Sequence, residues 1–431
     1  MKKSVAAAGL AVLLASSGVT SAALADGNEE VLEEQEQEEQ AQQDEENQDG
    51  EEEVVPEEEP LESLTLELAI EFALNENTSL LLLEDRLAHL KSQLGGSEND
   101  YEDILDDIED LEDEMDDLRD VQKETGQRTF QSRLQLQNQI EALEDQLEPL
   151  EDSFRQMNSN IASMEYDKER AAEGIKLSTT STYMQLLSTR DQIDFLKDSL
   201  ETERKRVKNV ETRFDIGVAS WEELDQAQRE VTRLQSQIDQ LETQLEGNLS
   251  VFALNIGVVY DPEITLEAPD TDSLPKITQE TPTEELIENS YGMKQAKEAL
   301  ALAKADRDDI YEDEDANSHD REQADLNVQV EERNIAQLRE DMRRTIQDTF
   351  NQATTQYQVV QEAKREVSLA EYDYDRLKIQ VDIGVLPRAE YELAAAQIDQ
   401  ARHDYDTEKQ NYYLIVQQIE SIRNGLIQQS Q

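Results

Sequence analysis

Asp215-Ile216-Gly217-Val218, within Arg213-Phe214-Asp215-Ile216-Gly217-Val218-Ala219-Ser220, recurs 167 residues later as Asp382-Ile383-Gly384-Val385. The register between the two holds without a gap: Gln185 falls on Gln352, Glu223 on Glu390 and Ala227 on Ala394. Upstream, Ile193, Leu200, Val207 and Val210 meet Val360, Val367, Tyr374 and Leu377. A shared register on both sides of a turn marks a tandem repeat. Each copy reads as helix, tight turn, helix. Gly217 and Gly384 can take the left-handed conformation that closes a helix. Ser220 and Glu223 have the spacing of a capping box, and Pro387 supplies the backbone angle suited to a first helical turn.

Working outward from these turns, apolar residues alternate at spacings of three and four, the pattern of a seam between long packed helices. One run is Leu136, Ile140, Leu143, Leu147, Leu150, Phe154, Met157, Ile161 and Met164. A second runs from Leu224 through Val231, Leu234 and Ile238 to Leu245, and a third from Val360 through Val367 and Tyr374 to Val381. The expected fold class is therefore all-α, long antiparallel helical hairpins in two tandem repeats. Pro149 falls inside the first seam, where its ring and missing N–H predict a kink or a split.

Met1 to Ala25 has the order of a signal peptide: Lys2 and Lys3, an apolar run from Val5 to Ala15, then Ala23-Leu24-Ala25. Cleavage there makes this an exported protein starting near Asp26, a signal anchor being the alternative. Residues 26–60 are almost all Glu, Gln, Asp and Asn and form a disordered acidic leader. The whole chain carries 101 acidic against 39 basic residues, a net charge of −62. Such a field repels phosphate and excludes nucleic acid as a partner. It is suited to high external salt, where screening quenches the self-repulsion. The chain contains no cysteine, so disulfides, thiolate metal sites and a lipidated cysteine are excluded. No later stretch predicts a transmembrane span.

With these motifs the chain resembles the TolC-like outer-membrane efflux proteins, whose two repeats each carry an R-[YF]-x-x-G-hydrophobic-small turn. Residues 213–220 match that turn closely, while the second copy keeps the glycine without the Arg-aromatic pair. Leu64-Thr65-Leu66 through Asn75-Glu76-Asn77-Thr78-Ser79-Leu80 is similar to the family's repeat opening, with Thr78 where proline is usual. Glu284-Glu285-Leu286-Ile287 to Met293 resembles its counterpart in the second half, and Asn255-Ile256-Gly257 to Pro275 the mid-chain linker. The resemblance implies a protomer of a homotrimeric α-barrel, a passive efflux or secretion conduit of the cell envelope. It also implies a membrane-fusion adaptor and an inner-membrane transporter as partners. On that reading Gly217, Val218, Ala219 and Ser220 with Gly384, Val385, Leu386 and Pro387 are the adaptor-docking turns. Glu223 and Glu390 stand at the tunnel mouth, with ordinary helix caps as the equal alternative.

The family inserts a β-hairpin in each half to build its membrane barrel, and barrel strands alternate apolar and polar residues. Here Gly95 to Phe130 instead places Ile104, Ile108, Leu111, Met115 and Leu118 among Asp and Glu, a helical seam, and Asp306 to Asp325 is a short acidic link. The barrel strands are expected to be missing. The expected division is thus 1–25 signal peptide, 26–60 leader, 61–257 first repeat with an acidic coiled coil at 97–148, 258–282 linker, and 283–431 second repeat. No enzyme, cofactor or metal site is expected. Asp313, Asp315 and Asn317 have the opening spacing of a calcium loop, but Ser318 and Ala324 occupy positions it needs for Gly and Glu. His89, His319 and His403 read as helix surface. Trp221 reads as a packing anchor between hairpins, an exposed partner contact being the alternative. A coiled-coil rod of the cell wall, without a pore, is the competing function.

Overall fold

A computed structural model describes residues 63–125, 128–262, 264–313, 316–385 and 388–428. The expected signal peptide and acidic leader lie outside these residues, as do Leu386 and Pro387. In chain order the elements are β1 (Ser63–Leu64), α1 (Leu66–Asn75), α2 (Thr78–Thr125), α3 (Phe130–Asp215), α4 (Trp221–Asn255), β2 (Thr265–Leu266), α5 (Thr283–Asn289), α6 (Tyr291–Glu312), α7 (Ser318–Asp382) and α8 (Arg388–Arg423).

The seams become helices because their apolar residues keep helical spacing over long runs with few prolines and glycines, and several begin at a side-chain cap. Thr65 Oγ1 accepts from the Leu68 amide at 3.2 Å, and Asn77 Oδ1 accepts from Ser79 and Leu80, each at 3.1 Å. Ser290, fully buried, starts α6 by accepting from the Met293 amide at 3.3 Å. Asn317 and Asp320 form a reciprocal capping box at the head of α7. Asn317 is therefore a cap.

The 86 residues of α3 extend about 130 Å at 1.5 Å per residue. Pro149 sits inside α3, which passes through it unbroken, so the expected split does not occur. Proline removes one hydrogen bond, but Leu136, Ile140 and Ile161 are buried on either side of it. Around α3 the helices stand in a row: α2, α3, α6 and α7 towards one end, α4, α3, α8 and α7 towards the glycine turns. In the two places expected to lack barrel strands the described residues are helix on either side of a short break, α2 then α3 in the first half and α6 then α7 in the second. Among the described residues, no helix is long and apolar enough to cross a membrane.

Between the ends lies the core. Leu66, Ala69 and Ala73 of α1 pack with Tyr183, Met184, Leu186 and Leu187 of α3, Phe252 of α4 and Ile256 just after it. The second copy repeats this with Leu286, Ile287, Met293, Met342, Ile346, Phe350 and Ile419. Tyr183 and Phe350 are equivalent in the 167-residue register. The stretch joining the copies is fastened down by polar side chains. Strand β2 pairs in parallel with β1, and the buried Tyr183 hydroxyl lies 2.6 Å from each of the Leu64 and Glu267 carbonyls, sharing its one proton between them. Arg190 donates to the Leu266 carbonyl at 2.5 Å, Lys409 pairs with Asp272 at 2.6 Å, and Tyr412 donates to Pro275 O at 2.8 Å while accepting from the Ile277 amide at 3.0 Å.

The two return helices also end alike. Gly257 (φ 74°) and Gly425 (φ 101°) close α4 and α8, with Val258 donating to Ala253 O at 2.9 Å and Leu426 donating to Ser421 O at 2.8 Å. Each glycine lies against the corner between its own half's short and long opening helices. A Cβ at Gly257 would stand 2.5 Å from Glu76 Cβ, and one at Gly425 would stand 3.1 Å from Asn289 O.

Gly257→Ala therefore meets both a left-handed backbone and a collision, and should destabilise by about 2–4 kcal/mol. Gly217→Ala, with open space around it, should cost only the backbone strain of about 1–2 kcal/mol. Urea unfolding followed by circular dichroism will order the two. Burial pushes the Tyr183 phenol up to about 12 from 10. Its neutral form is the one the fold favours, so its contribution is complete below pH 10 and is lost as pH rises from 10 to 12. The stability difference between the native protein and Tyr183→Phe should shrink across that window. A difference independent of pH would remove Tyr183 as the alkaline weak point.

Candidate docking turns

Helix α3 ends on a hydrogen-bond pattern that closes two carbonyls at once. Gly217, at φ 75°, donates to Phe214 O at 2.9 Å, and Val218 donates to Arg213 O at 2.7 Å. In the second copy Gly384, also at φ 75°, donates to Val381 O at 3.0 Å, and Val385 donates to Gln380 O at 2.9 Å. The donors and acceptors are the same after a shift of 167 residues. Ala219 is buried, and Ser220 Oγ accepts from the Glu223 amide at 3.1 Å to start α4.

The reciprocal half of the expected capping box is not made. The Glu223 carboxylate instead faces the Arg213 guanidinium at 3.8 Å, across the turn. Both groups are about half exposed, so the pair contributes less than about 1 kcal/mol and serves to offset charge.

At these turns apolar side chains point to solvent at matching positions. Ile216 and Ile383 are 70% and 68% exposed, Val218 and Val385 64% and 71%. Trp221 is 67% exposed within this chain, which leaves its ring open to a partner or to a neighbouring hairpin. Each turn thus presents the same small pair of apolar side chains to solvent. The two copies are tied side by side from the Arg155–Asp309 ion pair, through Gln295 on Asp167 at 2.7 Å and Gln410 on Asp191 at 2.7 Å, to a ring stack of Phe195 on His403. That stack has centroids 4.6 Å apart, and His403 Nε2 lies 3.1 Å from Gln192 Oε1, so His403 belongs to the contact between copies. Both turns lie about 20 residues, or about 30 Å, beyond it.

Two features escaped the sequence reading. Tyr374 and Tyr391 stack at 4.5 Å with their hydroxyls hydrogen-bonded, where the first copy has Val207 and Leu224. Leu369, Tyr372 and Ile379 form an exposed stripe running down α7 to Ile383, where the first copy has Thr202, Lys205 and Thr212. The signal was available in both cases as a mismatch between the aligned copies. Glu390 lies in the first turn of α8.

No protein-family model matches the chain, and no curated protein sequence matches it. Among solved structures it is similar to the CmeC outer membrane channel of Campylobacter jejuni, at 14% identity and a TM-score of 0.58 over 85% of this chain and 87% of that one. It is similar to CusC, described for transmembrane channel formation, at 11% identity and a TM-score of 0.59 over 83% and 91%. The MtrE outer membrane channel of Neisseria gonorrhoeae aligns at 10% identity and a TM-score of 0.52 over 85% and 90%. The chain has the TolC-like fold of these outer-membrane channels, with helix in both places where that fold inserts its membrane strands.

Proposed function

We propose that this chain is the protomer of an oligomeric helical conduit in the cell envelope, passive and without chemistry of its own. The observation that carries the reading is the row of helices with two unlike free edges, α7 on one side and α2 with α4 on the other. Pairing one edge with the unlike opposite edge of the next copy is a heterologous, head-to-tail contact, which builds a ring where the rotation closes. Apolar side chains lie exposed on both edges: Leu326, Val330, Leu369 and Tyr372 on α7, Leu81 and Leu82 on α2, Val251 and Leu254 on α4. Three copies would close the wall as a homotrimer. The likeness to outer membrane channels supports the same reading.

In this assembly the turns around Gly217 and Gly384 receive a membrane-fusion adaptor, which hands substrate from an inner-membrane transporter. Ile216, Val218, Ile383 and Val385 supply the apolar contact, with Ala219 and Ser220 shaping the first turn and Leu386 and Pro387 belonging to the second. Glu223 and Glu390 border the mouth, where carboxylates favour cations. Arg213 offsets Glu223 in part. The competing rod is favoured by one observation, the helix that occupies the strand positions, and the same measurement separates the two.

Light scattering on the exported protein should give a trimer that strengthens as salt rises, because screening removes repulsion between acidic copies. Leu369→Glu with Tyr372→Glu should return it to monomer with unchanged helicity. A monomer at every salt concentration would select the rod. Ile216→Asp with Ile383→Asp should leave the trimer intact and abolish crosslinking to an adaptor in cells; undiminished crosslinking would sink the docking assignment.

A further inference from the structure

The hairpin of α2 and α3 continues past the rest of the row. The Arg155–Asp309 ion pair holds α3 to the end of α6, and α6 stops at Glu312. Beyond that level the described contacts of the arm run between its own two helices. Tyr101 packs edge-on against Phe154 with centroids 5.5 Å apart and donates to Glu151 at 2.8 Å, and nearer the tip Thr129 donates to the Leu118 carbonyl at 3.2 Å. The arm projects about 35 Å, the length of residues 130–154 at 1.5 Å each.

Two helices alone do not cover this seam. Ile104, Ile108, Leu111, Met115 and Leu118 all remain half-buried, and Phe130 and Leu134 are exposed. On one side the helices leave a groove with Leu111 and Leu143 at its base. Asp107, Asp110 and Glu114 form one wall, and Gln139 and Ala142 the other. One wall is thus anionic and the other small and neutral. Between residues 98 and 124, α2 carries fifteen acidic residues against Arg119 and Lys123, and those two pair locally with Asp116 and Asp120. Among the described residues no lysine or arginine pairs with Asp107, Asp110 or Glu114.

We propose that the arm is a docking site for a cationic amphipathic helix, which lies in this groove as the third strand of a coiled coil. Its apolar stripe covers Leu111 and Leu143, and its lysines or arginines meet Asp107, Asp110 and Glu114. Charge complementarity selects this occupant. A second copy of the arm would bring like charge against like charge, and an anionic lipid surface is repelled for the same reason. The inference is independent of the conduit reading, since the arm stands at the end of α3 opposite the glycine turns.

The test uses the full exported chain and two Leu/Lys peptides of about 18 residues and equal composition, one with leucine on a single helical face and one scrambled. Fluorescence anisotropy at about 0.15 M salt should show the amphipathic peptide binding about tenfold tighter than the scrambled one. Asp107→Lys, Asp110→Lys and Glu114→Lys together should abolish the binding. Ala142→Trp, which fills the groove from an exposed position and leaves the charge unchanged, should weaken the amphipathic peptide alone. Equal binding of both peptides, or indifference to Ala142→Trp, would reduce the arm to a diffuse polyanion and overturn the proposal. Arm-to-arm dimerisation abolished by Ala142→Trp would overturn it in favour of a second copy.

Discussion

Everything in this structure depends on keeping one very long helix flanked along its length. The 86 residues of α3 carry much charge and few strong helix-stabilising contacts of their own, and in proteins most helical stability comes from tertiary packing of an apolar face rather than from propensity. Stability has to come from lateral packing at every level. The chain supplies it in relays: α2 along the outer arm, α1, α6 and the end of α4 at mid-height, then α4 and α8 towards the turns. The 167-residue repeat is the economical way to provide such neighbours, since α7 and α8 present the same seam period as α3 and α4. That common spacing lets copies stand parallel in a row.

A row of helices can slide, and the mid-height core prevents it. Side-chain seams with uniform spacing are compatible with shifts of a whole heptad, each costing few contacts. The mid-height corners are not uniform. Gly257 fits only against Glu76, and Gly425 only against the Asn289–Tyr291 corner, where Tyr291 donates to the Gly425 carbonyl at 3.0 Å. Tyr183 and Tyr412 then hold the joining stretch at two fixed heights, one on each copy. Specific polar contacts to backbone carbonyls thus set the axial register that apolar burial leaves open. Surface ion pairs are numerous but individually weak, and with 101 acidic residues most carboxylates have only solvent and screening ions to balance them.

The sequence carried the fold well because heptad spacing and turn glycines are local signals. The absence of barrel strands was legible for the same reason: Asp106, Asp107, Asp110 and Asp113 around Ile108 and Leu111 have helical, not alternating, order. Less legible were choices made between distant groups. Ser220-x-x-Glu223 has the spacing of a reciprocal cap, yet Arg213, brought near only once the turn has formed, takes the carboxylate. Asn317 looked like part of a failed calcium loop when its own Asp320, three residues on, made it a helix cap. The equivalence of Gly257 with Gly425 was hidden by one extra residue in the second return helix, which breaks the 167-residue register. His403 gave no sign of its stack on Phe195, since nothing in either local sequence refers to the other.

The two copies differ most where they are most alike in backbone. Both glycine turns have the same hydrogen bonds and the same exposed Ile and Val, so a single partner motif could read either. Above the turns the first copy is polar at Thr202, Lys205 and Thr212, while the second exposes Leu369, Tyr372 and Ile379. If both copies served only one another within a chain, selection for solubility would give both the same polar outer face. An apolar stripe on α7, one of the two free edges, with no counterpart at the equivalent positions of α3, is better explained by burial against something outside the protomer. On the same logic the first copy's polar face would stay in water in the proposed conduit. In the proposed conduit the repeat sets the geometry of the wall, and the departures from the repeat set where that wall joins its neighbour.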